Sequence, residues 1–203
     1  MFTGIVQELG TVVDVRRTNH VHRLTIQAPK TVDRLELGES VAVNGVCLSV
    51  VRVCDGSMSV EVIPETGRLT NLGKLSVGNR VNLERSLSLS DGLNGHLVLG
   101  HVDGMGRVAR LTKAAGEVVL EIRVEPSLRR YVVPKGSVAV DGVSLTVGAR
   151  LVRNGFSVFL IPTTMQRTTL GFRRVGDLLN VEVDYLAKLT AHLLARSRQF
   201  PRN

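Results

Sequence analysis

The chain contains two copies of one long sequence pattern, and this internal repeat constrains the fold more than any other feature. Residues 39–50 (ESVAVNGVCLSV) align with residues 136–147 (GSVAVDGVSLTV) and agree at eight positions. Three further blocks match in the same order: 63–66 with 161–164, 70–73 with 168–171, and 77–84 with 175–182. A repeat of this length is a domain rather than a solenoid unit. We predict a first unit at 1–87, a second at 88–186 with a junction near 86–95, and a C-terminal helix and tail at 187–203 that serves oligomerisation.

Alternation of apolar and polar residues predicts that each unit is built from β-strands. Met58, Val60 and Val62 share one face of a strand, and similar runs recur throughout both units. Asn44-Gly45 and Asp141-Gly142 lie between apolar runs, which is the pattern of a two-residue hairpin turn. The predicted fold class is therefore all-β: two tandem, homologous, six-stranded antiparallel β-barrels of Greek-key type.

Helices are predicted at three places. The stretches after Pro64 and Pro162 lack alternation and end in glycine, which favours one short helix each. A third helix is predicted from about Tyr185 to Ser197, where leucines recur at helical spacing: Leu186, Leu189, Leu193 and Leu194. This apolar stripe packs either on the chain's own barrel or on another subunit, and the sequence leaves both open.

The composition excludes several classes of protein. The formal net charge is +8, but the basic residues are scattered, aromatic residues make up only 3% and tryptophan is absent, so a solvated basic surface is favoured over a nucleic-acid site. No apolar run is long enough for a membrane span, and the N-terminus lacks the features of a signal peptide, so we expect a cytoplasmic protein that binds neither membrane nor nucleic acid.

The cysteine and histidine spacings predict neither a disulfide nor a metal site. Cys47 and Cys54 are seven residues apart on adjoining β-structure, so their side chains should face opposite sides. The five-residue spacing of His96 and His101, even with Asp103 nearby, fits neither strand nor helix ligand geometry. We expect no metal and no cofactor.

Strand alternation after the two hairpin turns places polar groups outside the barrels. If the aliphatic residues of these strands face the core, Cys47 and Ser49 point outward in the first unit, and Ser144 and Thr146 point outward at the equivalent positions of the second. Small polar residues on an outward face are usually only solvated. Their presence in both copies favours two related pockets for two similar ligands.

Five segments resemble the signature segments of the riboflavin synthase family, in the family's order and over most of the chain. They are 1–6 (MFTGIV), 43–50 (VNGVCLSV), 95–104 (GHLVLGHVDG), 135–147 (KGSVAVDGVSLTV) and 180–184 (NVEVD). The resemblance implies an enzyme that converts two molecules of 6,7-dimethyl-8-ribityllumazine into riboflavin and a pyrimidinedione by transfer of a four-carbon unit. It also implies a homotrimer with active sites between the barrels of adjacent subunits, and association with lumazine synthase as a further partner.

The same resemblance implies site residues at matching positions. The catalytic candidates are Ser144, Cys47, His101, Asp184 and Ser40. The substrate-binding candidates are Phe2, Gly4, Val6, Ser49, Ile63, Glu65, Thr66, His96, Gly100, Val102, Lys135, Thr146, Ile161, Pro162, Thr163 and Thr164. Ser144 would hydrogen-bond the acceptor ring or help to supply the nucleophile, and His101 would shuttle a proton.

The chain departs from the family pattern in four places. Ser49 replaces the usual threonine but keeps a hydroxyl, and Asn94 replaces a glycine, which puts the position of His96 in question. Gly67 replaces a larger residue, often leucine, and Glu65 and Thr163 differ between the two repeats as expected for specialised pockets. None of these changes removes a group that the chemistry requires.

Two other functions remain as alternatives. A non-catalytic antenna or carrier of this fold would bind one lumazine or flavin, and its second pocket would have decayed, whereas both hairpins are intact here. An oligonucleotide-binding barrel would expose aromatic residues on a strand face, and the chain has almost none.

Overall fold

The structure, a computed structural model, describes residues 1–18, 20–114 and 117–197. The strands of the first half are Glu8–Arg17 (β1), His22–Gln27 (β2), Ser40–Val43 (β3), Val46–Cys54 (β4), Ser57–Val62 (β5) and Arg80–Arg85 (β6). Those of the second half are Gly104–Ala114 (β7), Glu117–Arg123 (β8), Ser137–Val140 (β9), Val143–Thr146 (β10), Gly155–Leu160 (β11) and Leu178–Val183 (β12). The α-helices are Pro29–Val32 (α1), Pro64–Leu69 (α2), Pro126–Arg129 (α3), Pro162–Arg167 (α4) and Tyr185–Ser197 (α5), and 3₁₀ turns follow at Asn71–Lys74 and Thr169–Phe172.

The strands form two six-stranded antiparallel barrels with the same topology. In the first barrel the order is β1-β2-β5-β4-β3-β6, and β6 pairs back onto β1 to close the sheet. In the second barrel the order is β10-β9-β12-β7-β8-β11, and a bridge between Val147 and Val158 connects its two edges. The predicted fold class is confirmed.

Alternation along β4 and β10 sorts the side chains as the sequence predicts. Val46, Leu48 and Val50 are buried in the core of the first barrel, as are the matching aliphatic residues of the second. Cys47 and Ser144, on the opposite faces of these strands, are half-buried outside the barrels. The two barrels therefore present equivalent outward surfaces.

Both predicted hairpin turns have the left-handed backbone that their sequences favour. Asn44 and Gly45 have φ of 46° and 77°, and Asp141 and Gly142 have φ of 46° and 76°, which is the type I′ pattern. The two turns also touch each other. A Cβ on Gly142 would lie 2.6 Å from the backbone nitrogen of Gly45, so the barrels meet where only glycine fits.

The predicted helices are present, and two more were not predicted. The helices after Pro64 and Pro162 and the C-terminal helix occur where the sequence indicates, whereas α1 and α3 are single turns of four residues, each starting at a proline. On α5, Leu186 is 60% exposed and Leu193 is 57% exposed. The apolar stripe of α5 is thus not covered by the chain's own barrels. Residues 198–203 of the predicted tail lie outside the described residues.

The segments that precede β1 and β7 each cross to the opposite barrel. We call residues 1–6 the first leader and residues 97–102 the second leader. Phe2 and Val98 pair as an antiparallel bridge between the leaders, with N···O distances of 2.7 and 3.1 Å. Val6 packs against the core of the second barrel, and Val102 packs against the core of the first. Each barrel is therefore completed by the leader of the other.

A buried polar network joins the barrels on the side of the hairpin turns. The Asn180 amide nitrogen donates to the Asn44 carbonyl at 2.9 Å, and the Asn82 amide nitrogen donates to the Asp141 carbonyl at 2.8 Å. The Asn71 amide nitrogen also donates to the Asp141 carboxylate at 2.8 Å. Because unsatisfied buried polar groups are costly, this network fixes how the barrels are placed relative to each other.

Candidate active site

The outward face of β10 is the base of a candidate pocket on the second barrel. Ser144 is half-buried there and Thr146 is exposed. The first leader covers one side: the Ser144 backbone N–H donates to the Gly4 carbonyl at 2.7 Å. A Cβ on Gly4 would lie 2.7 Å from the Ser144 Cβ, and Gly4 has φ of 77°, so only glycine allows the leader to lie this close. Gly4 therefore builds the pocket with its backbone.

His96 and Ser144 form a hydrogen-bonded pair in this pocket. The His96 Nδ1 and the Ser144 Oγ are 2.7 Å apart, although the two residues are 48 positions apart in the sequence. Burial lowers the pKa of His96, and the nearby Asp184 carboxylate opposes this effect more weakly. A neutral imidazole at physiological pH is able to accept the Ser144 proton, which is the arrangement of a hydroxyl activated by a base. His96 thus lies beside Ser144 with Asn94 two residues before it in the sequence.

Asp184 lies where β12 ends and α5 begins. Its Oδ1 accepts the backbone N–H of Leu186 at 2.9 Å, so the carboxylate caps the first turn of α5. The same side chain acts on His96 electrostatically. Asp184 therefore links the C-terminal helix to the pocket of Ser144.

The first barrel has the equivalent pocket on the outward faces of β3 and β4. Cys47 lies across from Ala42, and Ser49 lies across from Ser40. The second leader covers this pocket, because the Cys47 backbone N–H donates to the Gly100 carbonyl at 2.9 Å. Within the described residues, no side chain pairs with the Cys47 thiol in the way that His96 pairs with Ser144. The two pockets thus share their backbone design and differ in their chemistry.

Two buried glutamates hold the leaders in place. The Glu84 carboxylate accepts the Thr3 N–H at 2.7 Å, the Thr3 hydroxyl at 2.8 Å and the Gly4 N–H at 3.0 Å. The Glu182 carboxylate accepts the Leu99 N–H at 2.7 Å and the Gly100 N–H at 3.0 Å. Burial raises the pKa of both carboxyl groups, and the hydrogen bonds oppose it. Glu84 and Glu182 occupy matching positions of the repeat, which was the one signal for them in the sequence.

The remaining predicted residues fall into two groups. Several directly follow β5 and β11. If the pairing of Val50 with Val60 and of Val147 with Val158 is extended along the strands, these residues lie on the side of Cys47 and Ser144. Most of them are exposed: Ile63, Glu65, Thr66, Ile161, Pro162, Thr163 and Thr164. His101 and Lys135 are also exposed, and Lys135 has a left-handed backbone with φ of 62°. Phe2, in contrast, is fully buried in a cluster with Ala42, Val98 and Ala139, against which Cys47 packs. The Phe2 ring therefore belongs to the buried layer beneath Cys47 and is not open to a ligand in the single chain.

Sequence reasoning missed Ser137, the repeat counterpart of Ser40. Ser137 lies across from Thr146 in the register of β9 and β10, as Ser40 lies across from Ser49. The aligned sequences 39–50 and 136–147 contain this serine at the same position, so the signal was available.

Two absences concern the described part of the chain alone. Residues 1–18, 20–114 and 117–197 contain no group of three or more His, Cys, Asp or Glu side chains able to hold a metal ion. No helix in those ranges is long and apolar enough to span a membrane.

Comparisons with known proteins place this geometry in a family. The lumazine binding domain model matches twice, at residues 3–86 and 99–184. A riboflavin synthase of Mycobacterium tuberculosis (strain H37Rv) is 46% identical over 198 residues, which cover 96% of this chain and 98% of the relative. The riboflavin synthase of Bacillus subtilis (strain 168) is 37% identical over 199 residues, covering 98% and 92%. The crystal structure of LumP complexed with riboflavin has a TM-score of 0.84 at 25% identity, covering 90% of this chain and 99% of that one.

Proposed function

The chain belongs to the lumazine-binding domain family, and we propose that it is a riboflavin synthase. The reaction is the dismutation of two molecules of 6,7-dimethyl-8-ribityllumazine: one donates a four-carbon unit to the other, giving riboflavin and 5-amino-6-ribitylamino-pyrimidinedione. Relatives that carry the name riboflavin synthase match nearly the whole chain at 37% and 46% identity. The enzyme is therefore a transferase.

One observation carries the proposal: the chain has two equivalent outward strand surfaces, each bordered by the leader of the other barrel. The Gly4 carbonyl accepts the Ser144 N–H at 2.7 Å, and the Gly100 carbonyl accepts the Cys47 N–H at 2.9 Å. A reaction between two identical flat molecules needs two similar binding surfaces. Holding both reactants in one geometry converts a bimolecular step into an effectively unimolecular one, which supplies a large part of such catalysis.

The second-barrel pocket is the proposed location of the proton transfers. The reaction requires removal of a proton from a methyl group of one lumazine and delivery of a nucleophile to the ring of the other. Ser144, hydrogen-bonded at 2.7 Å to a His96 whose pKa is lowered, is the group best prepared to help deliver that nucleophile. Asp184 acts on His96 from the start of α5, and exposed His101 is proposed to exchange protons with the substrate.

The first-barrel pocket is proposed to position the second lumazine. Cys47, Ser49 and Ser40 form its polar surface. Exposed residues at the start of α2, among them Ile63 and Glu65, are proposed to contact the ring and the ribityl chain. The groups of the second pocket that match Ser49, Ile63 and Glu65 are Thr146, Ile161 and Thr163, and Lys135 is a further proposed contact there.

A homotrimer is proposed to bring unlike pockets of adjacent subunits together. Ser49 and Thr146 are open to solvent in the single chain, whereas a reaction through a carbanion needs a site from which water is excluded. Exposed Leu186 and Leu193 on α5 supply an apolar surface for contact between subunits. Because Asp184 caps α5, this contact would lie beside the second-barrel pocket.

The experiment that tests the function mixes the purified protein with 6,7-dimethyl-8-ribityllumazine alone and follows riboflavin by absorbance. We expect turnover without added metal or cofactor, and a large loss of kcat in Ser144→Ala with the fold retained. Thr112→Ala, an exposed hydroxyl on β7 outside the proposed pockets, is the matched control and should keep full activity.

The alternative is a lumazine or flavin carrier of the same fold. The crystal structures of LumP contain 6,7-dimethyl-8-(1'-D-ribityl) lumazine in one case and riboflavin in another, at 24% and 25% identity to this chain. Tight lumazine binding without riboflavin formation would establish the carrier and remove the catalytic assignments. Cytoplasmic localisation, association with lumazine synthase and unit boundaries at 87 and 186 stay predictions.

A further inference from the structure

A cleft between the two barrels lies apart from the proposed lumazine pockets. It has a volume of about 570 Å³ and is formed by the 3₁₀ turns, the loops after them and the neighbouring ends of β6, β7 and β12. None of the proposed catalytic or substrate-binding residues lines it. Its volume is in the range of small-molecule sites, about 300–1,000 Å³.

The lining of this inter-barrel cleft is strongly basic. Lys74, Arg80, Arg107 and Arg173 contribute four cations, and the one carboxylate among the lining residues is Asp177. Like charges gathered in a concave site repel one another and produce a positive potential that is focused into the cleft. An anion bound there would relieve this repulsion.

The arginines are held by contacts that leave their charge available. Arg80 donates to the Leu9 carbonyl at 3.2 Å, and Arg107 donates to the Gly176 carbonyl at 2.7 Å. Backbone carbonyls orient a guanidinium group without neutralising it. Lys74 is exposed and lines the cleft, and no hydrogen bond or ion pair to its ammonium group is found among the described residues. In the described part of the chain, none of these three cations forms an ion pair, and Asp177 is the one carboxylate that lines the cleft with them.

Arg173, the fourth cation of the lining, is already paired within the protein. One terminal nitrogen pairs with the fully buried Asp141 carboxylate. The Nε of Arg173, however, is buried and has no hydrogen-bond partner. The Nε atoms of Arg85 and Arg129 are unpartnered in the same way and lie outside the cleft, so the case for a ligand depends on the other three cations.

We propose that the inter-barrel cleft binds a small molecule that carries a diphosphate group. Phosphate oxygens are the acceptors that a guanidinium fork matches best, and two linked phosphate groups suit a cleft whose arginines come from both barrels, Arg80 from the first and Arg107 from the second. The Asn44 and Asn71 side chains lie at the same cleft and belong to the buried network that joins the barrels. Binding of the ligand therefore stabilises the arrangement of the two barrels. The site also accounts for part of the basic charge, since the lumazine substrate carries no phosphate.

The test is isothermal titration calorimetry of the full chain with inorganic pyrophosphate, at low ionic strength and again with added salt. We expect binding that weakens with salt. We expect it to weaken about tenfold or more in Arg80→Gln/Arg107→Gln, because two charge-assisted contacts are lost. Arg150→Gln/Arg153→Gln is the matched control: both side chains are exposed and lie outside the cleft, and the change in net charge is the same. Lys74→Gln is a second variant that removes a cation from the cleft. It breaks no hydrogen bond recorded among the described residues, so the variant should fold normally.

Three results would overturn the proposal. The first is no heat of binding at low ionic strength, and the second is equal weakening in the cleft variant and the control variant. The third is competition between pyrophosphate and 6,7-dimethyl-8-ribityllumazine, which would place the anion in the lumazine pockets. Because pyrophosphate contains no lumazine ring, the outcome is independent of whether the chain makes riboflavin.

Discussion

Replacing Glu84 with glutamine should disturb the pocket of the barrel to which Glu84 does not belong. Glu84 lies on β6 of the first barrel, and its carboxylate holds Thr3 and Gly4 by three hydrogen bonds of 2.7 to 3.0 Å. Gly4 in turn accepts the Ser144 N–H of the second barrel. A glutamine keeps one oxygen acceptor but turns an amide donor toward an N–H, so at least one buried donor loses its partner.

The expected magnitude follows from these contacts. An unsatisfied buried donor costs about 1–3 kcal/mol, and loss of the negative charge weakens the remaining hydrogen bonds. We therefore expect Glu84→Gln to destabilise the docked first leader by about 2–4 kcal/mol. The Ser144 amide should then exchange with solvent at least about 30-fold faster, because each 1.4 kcal/mol is a factor of about ten.

The assay is hydrogen exchange of two amides, Ser144 and Cys47, in two matched variants. Glu84→Gln should speed the exchange of the Ser144 amide. Glu182→Gln should speed the exchange of the Cys47 amide, because Glu182 accepts the Gly100 N–H and the Gly100 carbonyl accepts the Cys47 N–H. Glu61→Gln on β5, a partly exposed residue whose recorded partner is Arg23, is the control and should change neither amide. An uncrossed result, in which each variant deprotects the amide of its own barrel, would refute the exchange of leaders.

Three other perturbations test separate parts of the structure. Burial lowers the pKa of His96, so the imidazole binds a proton more readily in the unfolded state than in the folded state. The free energy of unfolding should therefore fall as the pH drops below about 6.5. In urea titrations at about pH 5 and about pH 7, His96→Asn should reduce this pH dependence. An unchanged slope would contradict the lowered pKa. Gly142→Ala should lower the free energy of unfolding by at least about 2 kcal/mol in urea denaturation, since the new Cβ would lie 2.6 Å from the Gly45 backbone nitrogen. Gly176→Ala is the control for backbone strain alone, because Gly176 has φ of 98° but open space around it. Equal losses in the two variants would mean that contact between the turns is unimportant. Leu189→Ser/Leu193→Ser should dissociate the proposed homotrimer in light scattering while the circular dichroism spectrum is retained, and Leu89→Ser, at an exposed position outside α5, should not. An unchanged mass would remove α5 from the proposed interface.

The sequence predicted those parts of the fold that local rules determine. Alternation sorted Cys47 and Ser144 from their aliphatic neighbours because the side chains of a strand alternate between two faces. The Asn-Gly and Asp-Gly sequences predicted turns with positive φ because Asn, Asp and Gly tolerate that conformation and few other residues do. The four-residue helices α1 and α3 were missed since one helical turn is too short for a periodic pattern.

Contacts between distant segments were beyond such rules. The pairing of His96 with Ser144 joins residues 48 positions apart, and the hydrogen bond of Glu84 to Thr3 spans 81 positions. Asp141 was predicted as a turn residue, which it is, but its turn is also fully buried against the other barrel. Turn chemistry determines backbone angles and contains no information about what packs against the turn.

The exchange of leaders bears on how such a chain could have arisen. A chain with only one barrel would have a leader with no second barrel to pack on, and its outward strand face beside the hairpin would have no leader packed against it. Two identical copies related by a twofold axis would satisfy each other, with their turn glycines touching on the axis as Gly45 and Gly142 do here. The present chain has the form of such a symmetric pair joined end to end. Once joined, such halves are free to diverge: His96 pairs with Ser144 in the second half, whereas no side chain pairs with the Cys47 thiol among the described residues. A joined pair can therefore carry an acid–base pair in one half alone, whereas a strictly symmetric pair of chains would carry it twice or not at all.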